Sequence, residues 1–133
     1  MVQETLDNRL TLPYLLHVFE TSKPLVDKAD YRIYEVERLG KVYFTMRSYD
    51  KHFYRKWGTW GISESYLKSA RAMGVNKVVV ICKDWPVGNE RKMVAWISDI
   101  QDWFVRGKSL WWSGEHERQL HLKPEEMQAI PEK

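Results

Sequence analysis

Cysteine is nearly missing from this chain: Cys82 is the single one in 133 residues. One thiol makes no internal disulfide and no cysteine-rich zinc site, which excludes a disulfide-stapled scaffold and a zinc ribbon. Long apolar runs are missing too. None exceeds the five residues of Val78 to Cys82, far below the roughly 20 that a membrane-spanning helix needs. Glycine and proline, seven and five in number, nowhere gather into a linker, and there is no repeat or low-complexity tract. The opening MVQETLDNRL is polar and mixed in charge, unlike a signal or transit peptide, so a cytoplasmic protein without a membrane partner is expected. No P-loop, dinucleotide fingerprint, nucleophile elbow or kinase signature is present.

What is present is a globular profile, 44% hydrophobic, 29% charged and 14% aromatic, at the length of one ordinary domain. Residues 1–30 read as an N-terminal helical arm and 31–133 as an α+β domain, together one compact unit. In the arm, Pro13 suits a first helical turn, Leu15, Leu16 and Phe19 share a face, and Lys23-Pro24 ends the pattern. Such a helix serves for docking or dimerisation.

From Tyr31 the period changes to two. Tyr34 and Val36 fall on one face, with Tyr31 and Ile33 on the other. After a turn at Arg38-Leu39-Gly40, Val42, Phe44 and Met46 alternate with Tyr43, Thr45 and Arg47, which predicts a hairpin over 31–47. Ser63 is a suitable N-cap, with Ile62 and Leu67 as a hydrophobic staple. Tyr66, Leu67, Ala70 and Met73 form an apolar stripe, and Gly74 ends the helix. The apolar run that follows predicts a central strand over 77–82. Pro86-Val87-Gly88-Asn89 reads as a turn and KMVAWI as a strand. A short helix begins at Ser98, with a capping box to Gln101, and stops at Gly107. Ser109 to Trp112 and Gln119 to Leu122 read as short strands, and Pro124 opens a last turn. The order implies an α+β fold: one mixed sheet with helices packed on it.

Charge carries the functional edge. Between Arg38 and Gly58 stand six basic residues against one acid, a net +5, while the rest of the chain is −2. Within that stretch, Arg47, Lys51, His52, Arg55 and Lys56 are interleaved with Tyr49, Phe53, Tyr54, Trp57 and Trp60. Gly58 and Gly61 close it before the helix start at Ser63. Cations give charge-assisted hydrogen bonds to phosphate, glycines let backbone N–H groups approach, and a helix N-terminus adds its dipole. Exposed Trp57 or Trp60 would stack on bases. The expected site is therefore a nucleic-acid-binding surface, for DNA or RNA, made of Arg47, Lys51, His52, Arg55, Lys56, Trp57, Trp60 and Ser63. The plain alternative is a solvated basic face over aromatics that are simply core.

The order hairpin, helix, central strand resembles, in topology, that of restriction-endonuclease-like nucleases. The resemblance implies a metal-binding acid on one hairpin strand and an acid-x-lysine pair on the next, because Mg²⁺ prefers hard oxygen ligands. Glu35 and Glu37 stand on the first strand. The second departs from the pattern, with Thr45 where the acid belongs and Arg47 two residues on. Glu35 and Glu37 also read as solvent-facing partners for Arg32 and Lys41. His116 and His121, with Glu115 and Glu117, are the other ligand-like residues, and their spacing favours surface histidines over a metal site. Cys82 reads as a small buried hydrophobe. No catalytic residue, metal or cofactor is implied.

Seven tryptophans exceed what one small core usually needs, and the adjacent Trp111 and Trp112 point to opposite faces of a strand. Exposed tryptophans would suit a protein-binding inhibitor or adaptor, or a contact between copies of the chain. The favoured expectation remains a non-catalytic domain that binds nucleic-acid phosphates.

Overall fold

Alternation of apolar side chains builds the centre of the molecule. The computed structural model describes residues 10–28, 31–49, 58–112 and 117–132. Helix α1 (Leu12–Thr21) begins at Thr11, whose Oγ1 accepts from the Tyr14 N–H at 3.3 Å, and carries Pro13 in its first turn. It leads into β1 (Val26–Lys28), β2 (Tyr31–Val36) and β3 (Gly40–Ser48). Strand β4 (Trp60–Ser63) runs directly into α2 (Glu64–Ala72), and the long β5 (Lys77–Val87) and β6 (Glu90–Asp99) follow. Helix α3 (Ile100–Val105), β7 (Lys108–Trp112), β8 (Glu117–Leu122), a 3-10 turn (Pro124–Glu126) and β9 (Gln128–Ala129) complete the chain.

The main sheet is mixed, in the order β1-β2-β3-β5-β6-β9. The hairpin read from the sequence is present, with Ile33 opposite Tyr43 and Tyr34 opposite Val42. β5 lies parallel to β3, Phe44 beside Val79, with β4 and α2 forming the crossover. Val78 to Cys82 are fully buried, as a strand covered on both faces must be. On one face Leu12, Leu15 and Val18 of α1 pack with Tyr34, Val36, Val42, Phe44, Val79 and Ile81. On the other lie Ile33, Tyr43, Val78, Val80, Trp96 and Trp103 with Leu67 and Ala70 of α2. The α+β class thus stands, with helices on both faces.

Three features correct the sequence reading. The short strands do not join the main sheet: β4, β8 and β7 form a second, three-stranded sheet, with Ile62 opposite Leu120 and Leu110 opposite Gln119. Pro86 is not in a turn. β5 continues to Val87, and only Gly88-Asn89 turns. Ser98 does not begin α3 either; it ends inside β6, where its Oγ accepts from the buried Trp103 indole N–H at 2.8 Å, and Asp99 takes the cap position.

A bulge shapes the outer end of β5. Pairing shifts between Cys82 and Trp85, and Asp84 there adopts a left-handed conformation, φ +58°. The extra residue reverses side-chain alternation. Trp85 is thereby brought to the face that holds Cys82 and Trp96.

Candidate nucleic-acid interface

Thr45 and Arg47 stand two apart on β3 and so share a face. Thr45 is buried. The Arg47 Nε donates to Thr45 Oγ1 at 2.8 Å and its Nη2 donates to the Gly61 carbonyl at 2.8 Å. The guanidinium therefore ties the end of β3 to β4, on either side of the basic-aromatic run. Arg47 was expected to face phosphate; two of its donors instead serve the protein.

Gly61 is the partner of His121 across β4 and β8. A Cβ at Gly61 would lie 2.6 Å from His121 Cε1 and 2.7 Å from Gln119 Oε1, so this glycine makes room for an imidazole rather than for a phosphate. His121 is buried, 3% exposed, which overturns its reading as a surface histidine. Its Nδ1 lies 2.9 Å from Thr59 Oγ1, and the two share a hydrogen bond. Burial foremost, and then the positive charge of Arg47, push its pKa from 6.5 down to about 4. A neutral ring buried beside a guanidinium is a structural element of the clasp, since protonation would place two cations together.

Trp60 is buried, 2% exposed, and is not a platform open to a base. Its ring lies 6.0 Å from that of Trp96 and 6.4 Å from Trp85, and Trp85 meets Trp96 edge-on at 4.9 Å. The β4–β8 pairing, which the local sequence does not announce, turns Trp60 inward. Ser63 is buried as well. It occupies the cap position of α2 without a side-chain cap bond, its Oγ sharing a hydrogen bond with Ser65 Oγ instead. Lys51, His52, Arg55, Lys56 and Trp57 lie outside the described residues, as does His116.

Sequence reasoning missed the cations beside this point. The Tyr49 N–H donates to the Lys83 carbonyl at 3.1 Å, so the last described residue before the basic run lies against β5. Half-buried Trp85 packs edge-on against Tyr49 at 5.4 Å, and the Arg91 guanidinium sits over the Tyr49 ring at 5.5 Å. Arg91 also donates to the Asp84 carbonyl at 3.0 Å. Lys83 and Lys92 are exposed. The β5–β6 pairing could have been read from Val87-Gly88-Asn89-Glu90, a two-residue turn with glycine first.

The order hairpin, helix, strand on which the nuclease resemblance rests is found, with β5 parallel to β3 and α2 between them. The chemistry departs from it. Glu35 and Glu37 are exposed, and Glu35 pairs in register with Lys41. Among the described residues no three His, Cys, Asp or Glu side chains gather to hold a metal ion. A 450 Å³ cleft lined by Lys77, Asp99, Asp102, Arg106, Glu125 and Glu126 lies at the opposite end of β5, and its four carboxylates oppose an anionic ligand. Among the described residues no helix is long and apolar enough to cross a membrane. No family model, curated protein or solved structure matches the chain.

Proposed function

We propose that this protein binds nucleic acid without cutting it, through phosphate contacts from the basic run between Arg47 and Gly58 and from the neighbouring end of β5 and β6. One observation carries the reading: the run from Arg47 to Gly58, with four cations against Asp50, is tied to the fold by the Arg47–Gly61 bond near Lys83 and Arg91, which flank Tyr49. Arg47, Lys83 and Arg91, from separate parts of the sequence, meet around Tyr49 and the end of β3, and clustered cations raise the local field felt by a polyanion. Lys51, Arg55 and Lys56 supply charge, and Arg47 anchors the run that carries them. A single buried Cys82 suits the reducing cytoplasm where such a protein would work.

The described tryptophans favour this over capture of a protein partner. Trp60, Trp96 and Trp103 are core residues and Trp85 is half-buried, so these four are not a ready set of interface anchors; Trp57 and the side chains of Trp111 and Trp112 lie outside the described residues. Titration of labelled oligonucleotides at two salt concentrations tests the reading. Phosphate contacts give a log–log salt slope of about −0.7 per contact on a single strand and about −0.9 on a duplex. Arg55→Ala combined with Lys56→Ala should weaken binding to every sequence and flatten the slope. Absence of binding at low salt, or binding indifferent to salt, would refute it.

A further inference from the structure

The outer end of the β5–β6 hairpin leaves the rest of the sheet. β3 ends beside it at the Ser48–Lys83 pair, and β9 reaches only Trp96 and Ile97 on β6. Among the described residues, 84–93 form a two-stranded ribbon with no third strand on either edge. Trp85 still packs on Trp96 and Tyr49, and beyond it the ribbon runs about 10 Å to the Gly88 turn at roughly 3.3 Å per residue. Gly88, at φ +61°, occupies the first turn position, where a type II′ turn demands a glycine and where the twist suits a tight ribbon. The Arg91 bond to the Asp84 carbonyl crosses between the two strands and stiffens the projection. Lys83 stands on one strand and Lys92 on the other, both exposed.

We infer that this ribbon enters the major groove of double-stranded DNA, with Lys83 and Lys92 meeting phosphates of the two backbones, so that duplex and not single strand is the preferred ligand. The inference rests on the nucleic-acid reading above and names its substrate class. A two-stranded ribbon fits the B-form major groove, about 12 Å wide, whereas the deep, narrow major groove of A-form RNA does not admit one. Single-strand binders need open aromatic faces on which successive bases stack. Among the described residues, Trp60 and Trp96 are buried at 2% and 8% exposure, and Trp85 is packed between them and Tyr49; Trp57 and the side chains of Trp111 and Trp112 lie outside the described residues. The ribbon exposes Lys83, Arg91 and Lys92 against the acids Asp84 and Glu90, with Val87 beside the turn, so its cations stand on both strands and outnumber its acids by one.

The test is fluorescence anisotropy with a labelled DNA duplex and with one of its strands alone, at several salt concentrations. It uses the wild-type protein and the double variant Lys83→Glu/Lys92→Glu. The wild type should hold the duplex at least about tenfold more tightly than the strand, and the double variant should lose about tenfold or more on the duplex while its salt slope becomes shallower by about 2. Affinity for the single strand should change much less. A Lys83→Gln/Lys92→Gln variant, matched to the wild type in thermal melting, separates lost contacts from lost fold. Equal affinity for strand and duplex, or undiminished duplex binding by both double variants, overturns the ribbon's role and leaves the broader nucleic-acid reading in place. No binding of either DNA at low salt overturns both.

Discussion

Arg47 and Gly61 are joined by a 2.8 Å hydrogen bond from guanidinium to backbone carbonyl, across a fold in which one residue ends the central hairpin and the other begins the second sheet. The bond links the two sheets where the basic run bridges them. Replacing Arg47 by alanine leaves both the Gly61 carbonyl and the buried Thr45 hydroxyl short of a partner, so a loss of about 1–3 kcal/mol is expected. Arg47→Lys should recover little of it, because one ammonium cannot reproduce two directed guanidinium bonds. Urea unfolding of the three proteins provides the measurement, and a lysine variant as stable as wild type would show that the clasp is not bidentate in its effect.

Acid should loosen the same place. His121 takes up a proton near pH 4 in the folded state and at its ordinary 6.5 when unfolded, so the unfolded state binds more protons between those values. Stability due to this residue is fully present above about pH 6.5 and declines as pH falls towards 4, by an amount on the order of 3 kcal/mol. His121→Gln should flatten the wild-type decline across that interval, seen as denaturation midpoints at pH 7.5, 5.5 and 4.5. Parallel pH profiles in the two proteins would remove the histidine as the cause.

Gly61 has no space for a methyl group, since the position of its Cβ overlaps the His121 ring and the Gln119 amide oxygen. Gly61→Ala must push the imidazole away from Thr59, and a cost of about 1–3 kcal/mol follows from such overpacking. Thr59→Val, which removes the hydrogen bond without adding a clash, should cost less than Gly61→Ala in the same thermal melt. The reverse order would mean that the ring moves freely.

Metal-dependent cleavage is not expected. Thr45 stands where the resemblance to nucleases drawn from the sequence calls for an acid, and its hydroxyl is held by Arg47 Nε at 2.8 Å. Incubation of plasmid and of single-stranded DNA with the protein in Mg²⁺ or Mn²⁺ should leave both intact. Cleavage that disappears in Glu35→Ala would instead make the exposed glutamate a metal ligand and the domain an enzyme.

Local chemistry made much of the fold legible. The hairpin at Tyr31–Ser48 and the buried strand beginning at Val78 follow from periodicity over a few residues. Ile62, Leu67 and Ala70 likewise marked out α2. The second sheet had no such local mark, because WGIS becomes a strand only through pairing with QLHL far along the chain. That pairing also buries Trp60 and His121, and both were misread for the same reason. Pro86 was misread because proline usually marks a turn, whereas at the unpaired edge of a ribbon its missing N–H deprives no neighbour. The charge cluster was visible in composition, but Lys83 and Lys92 join it only through the β5–β6 register.

The distance along the chain between β4 and β8 also sets an order of events during folding. The β2–β3 and β5–β6 hairpins close short loops, while Trp60 meets Leu122 only after most of the chain has been gathered, and closing long loops is slow. The second sheet should consequently consolidate after the folding transition state. Leu122→Ala would then speed unfolding and barely alter the folding rate, whereas Val79→Ala would slow folding. The Arg47–Gly61 clasp, which needs both sheets, is on this account among the last native bonds to form and the first to open.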